Sequence, residues 1–437
     1  MKGFRSFLVL LAMLAALTGY LYYDSKHEPG DDKKPEKVFA GLASDKIERV
    51  TVKSAAGDQT TVEKQGAEWK MTQPAAVAAD GAELSGITAN LTSLEVSRVV
   101  DEQPADLKQY GLDPPRIEVT FTFAGKDQKL LLGQKTPTGG DLYAKLPDKP
   151  RVFLVASFVE TTFNKSTFDL RDKTILKIDR EKVDRVEIET ADRTVKVAKQ
   201  GADWRLSSPV DARADYGVVE GIIGRLNTTP MKAITAAEAT DLKEYGLDKP
   251  AATVRVMSGS TQAGLVIGKS AGEGVVYAKD LSRPMIFTVE SALFDELKKP
   301  ADDFRVKDLF DARAFNTTRV EIARGGQTMA FEKEKGKDTW KQVSPAAKDA
   351  DTAKVEALLT ALASARATSF ADGKTATGLE APEVTISVAF EDGQKHEKVA
   401  FGRKGSDVYA RREGDAAAAK IDATALDGIV KALDALK

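Results

Sequence analysis

The 437-residue chain has no cysteine and only two histidines. The first absence excludes disulfides, thiolate metal sites, cysteine nucleophiles and acyl-cysteine lipid attachment. His27 lies in a stretch rich in proline, glycine and charge, and His396 in the charged, strand-like "GQKHEKVAF". Neither has the setting of a catalytic base, which sets aside histidine triads and zinc clusters. An excess of one charge is also missing. The 64 basic and 66 acidic residues are interleaved, with no basic block to follow a phosphate backbone. Nucleic acid is therefore not an expected partner. Charged residues at 30% and hydrophobic ones at 42% suit a folded, soluble body.

Long apolar runs are absent with one exception, "FLVLLAMLAALTGYLYY" from Phe7 to Tyr23, preceded by Lys2 and Arg5. Its length is at the short end of a membrane span. Tyr20, Tyr22 and Tyr23 close it with rings suited to a membrane–water interface. Bulky tyrosines fill the region where a small-residue cleavage site would stand, so residues 1–23 read as an uncleaved anchor rather than a removed signal. The positive-inside rule then places the amino terminus in the cytoplasm and the body outside it. Residues 24–38 read as a polar linker that holds the body off the membrane.

Tryptophan is scarce, and its three positions organise the rest. Trp69, Trp204 and Trp340 are 135 and 136 residues apart, each with proline five positions later. Three tandem domains of about 135 residues follow from that register. Upstream of each tryptophan lie "IERVTVKS", "VDRVEIET" and "TTRVEIAR", whose pairs Val50/Val52, Val186/Ile188 and Val320/Ile322 alternate as in half-buried strands. Downstream are helical stripes: Leu84, Ile87, Leu91 and Leu94; Val219, Ile222, Ile223 and Leu226; Val355, Leu358, Leu359 and Leu362. Strand pairs, a strand with Tyr143, Tyr277 or Tyr409, one more strand and a closing helix complete each copy. The fold class read from this is α+β, each domain mostly antiparallel sheet with two helices in the order β-β-β-α-β-β-β-β-α. The boundaries read as 39–172, 173–308 and 309–437, with "FDLRDK" (168–173) and "FRVKDL" (304–309) aligned at the joints. Arg171/Asp172 and Lys307/Asp308 are expected to form ion pairs between domains.

Between helix and strand pair, "QYGLDPP" (109–115) and "EYGLDKP" (244–250) repeat. Tyr110, Gly111, Asp113, Tyr245, Gly246 and Asp248 could be a duplicated site or a duplicated turn. The third copy, "ATGLEAP", keeps Gly378 and Leu379 but loses the tyrosine and has Glu380 for the aspartate. Turn chemistry survives where a catalytic carboxylate would move, so these are structural markers, with the glycine at positive φ and the aspartate capping local amides. "GLVIGKS" (264–270) has three residues between its glycines where a phosphate loop needs four, and Gly268 reads as a strand-end glycine common to all copies. The tryptophans, on alternating strands, read as core rather than stacking platforms. Asp302/Asp303 do not make a hydrolytic carboxylate pair. No catalytic, cofactor or metal residues are assigned.

The anchor, the tandem units, the "W-[KR]-x-x-x-P" strand and the "YGLD-x-P" turn together resemble the bacterial domain family of unknown function 4340, over most of the chain after residue 38. That resemblance implies a single-pass protein of the cell inner membrane with its body on the periplasmic side, encoded beside ABC-transporter components of the gliding-motility type. Two function classes follow. One is a non-catalytic binding or scaffold protein, accessory to such a complex and contacting protein partners or an envelope polymer. The other is an envelope hydrolase with carboxylate-only chemistry. A deep pocket of converging titratable groups would favour the second.

Overall fold

The computed structural model describes Thr18, residues 36–372 and residues 374–437. The expected anchor, Thr18 apart, and linker residues 24–35 lie outside the described residues, among which no helix is long and apolar enough to cross a membrane. Two compact units are distinguished, residues 1–172 and 173–437.

The first unit holds one sheet. Its strands are β1 (Ile47–Lys53), β2 (Gln59–Gln65), β3 (Glu68–Gln73), β4 (Val77–Ala78), β5 (Arg98–Asp101), β6 (Ile117–Phe123), β7 (Lys126–Lys135), β8 (Asp141–Lys145) and β9 (Val152–Ala156). Helix α1 (Gly81–Ser93) lies between β4 and β5, and α2 (Val159–Phe163) follows β9. The spatial order is β4-β3-β2-β1-β6-β7-β8-β9-β5, all neighbours antiparallel. Two meanders thus meet at β1 and β6, where Val50 faces Phe121 and Val52 faces Val119. Alternation decides which residues go inward: Val50, Val52, Val119 and Phe121 are fully enclosed on one face. That face receives Leu84, Ile87 and Leu91 of α1 and Val159 and Phe163 of α2. Helix α1 starts where Asp80 accepts hydrogen bonds from the Ala82 and Glu83 amides, a side-chain cap on otherwise orphaned donors.

The second unit repeats this plan twice, with nine-stranded sheets of the same order. Its long helices, Tyr216–Thr228 and Thr352–Ser364, are capped by Asp215 and Asp351 and bury the expected stripes. The three sheets, each with two helices, are the tandem α+β architecture expected. Each gains two short edge strands, represented by β4 and β5, that are too brief to show periodicity. The closing helix lengthens from 5 residues (α2) to 7 (Ser291–Leu297) and 12 (Ala423–Asp434).

The joints extend the sheets. In the first unit Arg171 bridges Ala79, just past β4, and Lys37 bridges Glu95, just before β5. Residues 36–38, assigned to the linker by sequence, therefore belong to the fold, with Val38 in the core. In the second unit Thr174 bridges Pro230, Arg305 bridges Ala214, and Asp308 bridges Arg366. The segment from Phe304 to Leu309 thus pairs with an edge of each sheet and makes the two continuous. These pairings correct the alignment of the joints. Leu170 and Phe304 occupy equivalent places, as do Arg171 and Arg305, and Thr174 and Asp308. The match of "FDLRDK" with "FRVKDL" was off by two residues, drawn there by the shared Phe and Asp.

Candidate functional site

The repeated turn comes first, because its residues were the strongest sequence signal. Lys108–Tyr110 forms one 3₁₀ turn, ended by Gly111 at φ +66°. The Leu112 amide donates to the Leu107 carbonyl and the Gly111 amide to that of Lys108, the paired bonds of a Schellman motif. Lys243–Tyr245 and Gly246 repeat it at φ +66°, and Gly378 has φ +71°. Leu112, Leu247 and Leu379 are buried on the sheet face opposite the helices. Tyr110 lies 5.0 Å from the Tyr143 ring and Tyr245 lies 5.1 Å from that of Tyr277. Against each turn lies a strand glycine. A Cβ added at Gly133 or Gly268 would stand 2.1 or 2.2 Å from the Tyr110 or Tyr245 carbonyl oxygen, and at Gly402 2.7 Å from that of Gly378. The two glycine motifs are halves of one close contact between turn and strand.

The expected role of Asp113 and Asp248 is not seen. Both are exposed and make no hydrogen bond or ion pair among the described residues. The amides are capped instead by Asp106, Asp241 and Asp372, which accept from Lys108, Lys243 and Lys374 at 2.9, 2.8 and 3.3 Å. The signal was available as Asp-x-Lys in all three copies. Trp204 and Trp340 are core residues at 2% and 1% exposure, whereas Trp69 is half-buried against its core. The Trp204 indole donates to Glu220 at 3.2 Å.

A cleft of about 640 Å³ opens in the second unit where its two repeats meet. Trp204, Arg213 and Tyr216 line one side and Phe390, His396 and Arg412 the other. Asp311 stands at the centre. Arg213 Nη1 donates to its Oδ2 at 2.8 Å, and Arg412 Nη1 does so at 3.1 Å. Behind it the Glu397 side chain has no exposed surface. Its oxygens accept from the Asp311 amide at 3.1 and 3.0 Å and from the Ala312 amide at 3.2 Å, and Arg412 Nη2 pairs with Oε1 at 2.8 Å. Burial pushes the Glu397 carboxyl above its ordinary value despite Arg412, and the Asp311 charge adds to that rise. Burial would also raise Asp311, but Arg213 and Arg412 together hold it below the usual carboxylate range.

The same joint holds Arg305, 5% exposed, with its guanidinium 3.3 Å from the centre of the Phe370 ring. Of the expected ion pairs, Asp308 binds Arg366 of the third repeat at 2.8 Å, while Lys307 pairs locally with Asp303 at 2.9 Å. His396 is exposed on the cleft wall, one residue from Glu397 but on the other face of its strand. Sequence reasoning missed Glu397, although "HEKVAF" carries the signal. With Val399 and Phe401 inward, alternation puts a carboxylate in the core. Gln128 and Ala263 hold that strand position in the other repeats. Among the described residues, no three carboxylate or imidazole groups form a metal-binding set.

The sequence profile of the family described as "Domain of unknown function (DUF4340)" matches residues 69–203 and 204–382. The chain belongs to this family. The DUF4340 matches run from tryptophan to just before the next tryptophan and on to Pro382, so their limits fall within sheets rather than between them. No curated protein matches the DUF4340 chain. Two crystal structures of the DNA polymerase sliding clamp from Pseudomonas aeruginosa, one with ligand, align with 88% and 87% of it. They cover 93% and 92% of their own chains, at 9% and 8% identity and a TM-score of 0.17 each, too slight a likeness to bear on fold or function.

Proposed function

We propose that this chain is a non-catalytic binding or scaffold protein, held at the inner membrane by residues 1–23 with its body outside the cytoplasm. In this reading it serves as an accessory of an ABC-transporter-type envelope complex, contacting protein partners or an envelope polymer. The observation that supports it is the state of Glu397. Asp311 and Glu397 are carboxyls whose proton affinities are driven apart, the arrangement a carboxylate-only hydrolase needs. Yet Glu397 is enclosed, its oxygens committed to two backbone amides and to Arg412. A general acid or base must reach the reacting atom, and this one reaches only the joint. The pair reads as a fastening between repeats, leaving the outer surfaces to bind.

The test is crosslinking of the intact protein in its membrane, followed by identification of the captured partners. Recovery of transporter subunits, together with mature protein whose sequence still begins before residue 15, is the expected result. Turnover of an envelope glycan, peptide or ester that is lost in Asp311→Asn would replace this reading with the hydrolase.

A further inference from the structure

The three repeats build the same edge after β3, and two of them cover it. In the first, the Asp80 amide donates to the Leu170 carbonyl at 2.9 Å, and the Asp172 amide donates back to the Ala78 carbonyl at 3.0 Å. In the second, the Asp215 amide donates to Phe304 at 2.8 Å, and the Val306 amide donates to Arg213 at 3.1 Å. Leu170 and Phe304 are enclosed as they do so. The third repeat prepares the identical edge. The Ala350 amide donates to the Trp340 carbonyl at 3.1 Å, as Ala79 and Ala214 do to Trp69 and Trp204. There, however, no described residue accepts from the Asp351 amide or donates to the Asp349 carbonyl. Asp349 and Asp351 are exposed, whereas Asp80 and Asp215 are half-buried.

We infer that the edge at Asp349–Asp351 is a docking site for an extended segment of a partner protein. That segment is apolar at its first residue and basic at its second, like Leu170-Arg171 and Phe304-Arg305. Its first carbonyl takes the Asp351 amide and its third amide binds the Asp349 carbonyl, adding a strand to the sheet. The preference for a basic second residue follows the covered edges, where Arg171 and Arg305 pair with Ala79 and Ala214 at the place of Ala350 and project on the same face of the sheet as these alanines.

Two features decide between a foreign partner and a second copy. In the sequence Pro35 stands two residues before Lys37, as Asp172 and Val306 stand two residues before Thr174 and Asp308. Proline has no amide to give the Asp349 carbonyl, so head-to-tail stacking of copies would lose half the pairing. Lys348 and Asp349 also guard the edge against pairing with its own kind. Arg213 shows that a charged side chain at the Asp349 position coexists with a docked segment. The inference rests on backbone groups and does not depend on the membrane or transporter reading.

The experiment uses the full chain and a synthetic peptide copying residues 303–309. Expected are saturable binding and slowing of amide exchange at Asp351 by about tenfold or more, with Asp80 and Asp215 unchanged. The same peptide N-methylated at the residue copied from Val306 should lose both effects. Absence of binding at millimolar peptide, undiminished binding of the methylated peptide, or protection elsewhere in the chain would each overturn the inference. So would reversible self-association that protects Asp351, because the occupant would then be a second copy.

Discussion

Replacing Gly268 with alanine tests the contact between turn and strand. The new Cβ would stand 2.2 Å from the Tyr245 carbonyl oxygen, whereas real Cβ contacts stay beyond 3.0 Å, so something must move by about 0.8 Å. The obstructing atom is backbone, fixed by the Schellman bonds of Gly246 and Leu247, and Gly246 itself has little room, since a Cβ added there would stand 3.0 Å from the Lys269 amide nitrogen. Displacing the turn disturbs Leu242, Leu247 and the Tyr245–Tyr277 pair, which pack with Val266 and Ile286. Overpacking of this kind costs about 1–3 kcal/mol, and a loosened aromatic pair about 0.5–1.5 kcal/mol. The expected loss is about 2–4 kcal/mol, which in a unit spanning residues 173–437 lowers the melting temperature by about 4–7 °C. Gly264→Ala, on the same strand, meets only the flexible Leu281 side chain, which is 50% exposed, and should fall within about 1 kcal/mol of the parent. Gly221→Ala meets nothing within 4 Å and sits inside a helix, so it should stabilise by about 0.5–1 kcal/mol. Calorimetric melting of the three variants reads the order directly. A Gly268→Ala protein that melts with the parent would refute the close contact and the shared reading of the two glycine motifs.

Asp241→Ala should cost about 1 kcal/mol by removing a cap, while Asp248→Ala should lie within about 0.5 kcal/mol of the parent; urea titration separates them. Glu397→Ala leaves Arg412 Nη2 and two amides without their acceptor while Arg412 Nη1 keeps Asp311, and unfolding experiments should show a loss of about 2–4 kcal/mol, with Glu397→Gln milder. Burial alone would raise the Glu118 carboxyl, but hydrogen bonds from Lys53 and Lys129 outweigh it and hold it below its ordinary value. A lowered carboxyl contributes stability above its unfolded value and loses it as pH falls through the folded one. Parent and Glu118→Gln should accordingly differ by about 0.5–1 kcal/mol at neutral pH, the lysines being largely exposed, and converge in acid denaturation curves.

The three-repeat architecture was legible because large, well-spaced residues carried it. Trp69, Trp204 and Trp340 mark one strand in each copy, and the apolar stripes of the long helices survive any change of surface. Strands of two to four residues such as β4 and β5 left no trace, since period-two alternation needs several residues to show. The joint was misread by two positions because identity of side chains was weighed where backbone pairing governs. Asp113 and Asp248 drew attention by recurrence, although Asp106 and Asp241 hold the turn. The charged joint was invisible for a different reason. Arg213, Asp311, Glu397 and Arg412 come from four separate stretches of chain, and only Glu397 breaks a local pattern.

The segment from Phe304 to Leu309 serves an edge of each sheet in the second unit, which sets an order for synthesis. As the chain leaves the ribosome, the second repeat has all nine strands by Glu290, yet its edge beside Ala214 stays open until Val306 emerges. The third repeat meets the opposite condition. Its edge near Arg366 finds residues 307–309 already in place when it is made. The second repeat is closed by residues 304–306, and the third is started by residues 307–309 of the same segment, already anchored behind it. Growth from amino to carboxyl terminus then never requires a finished sheet to reopen.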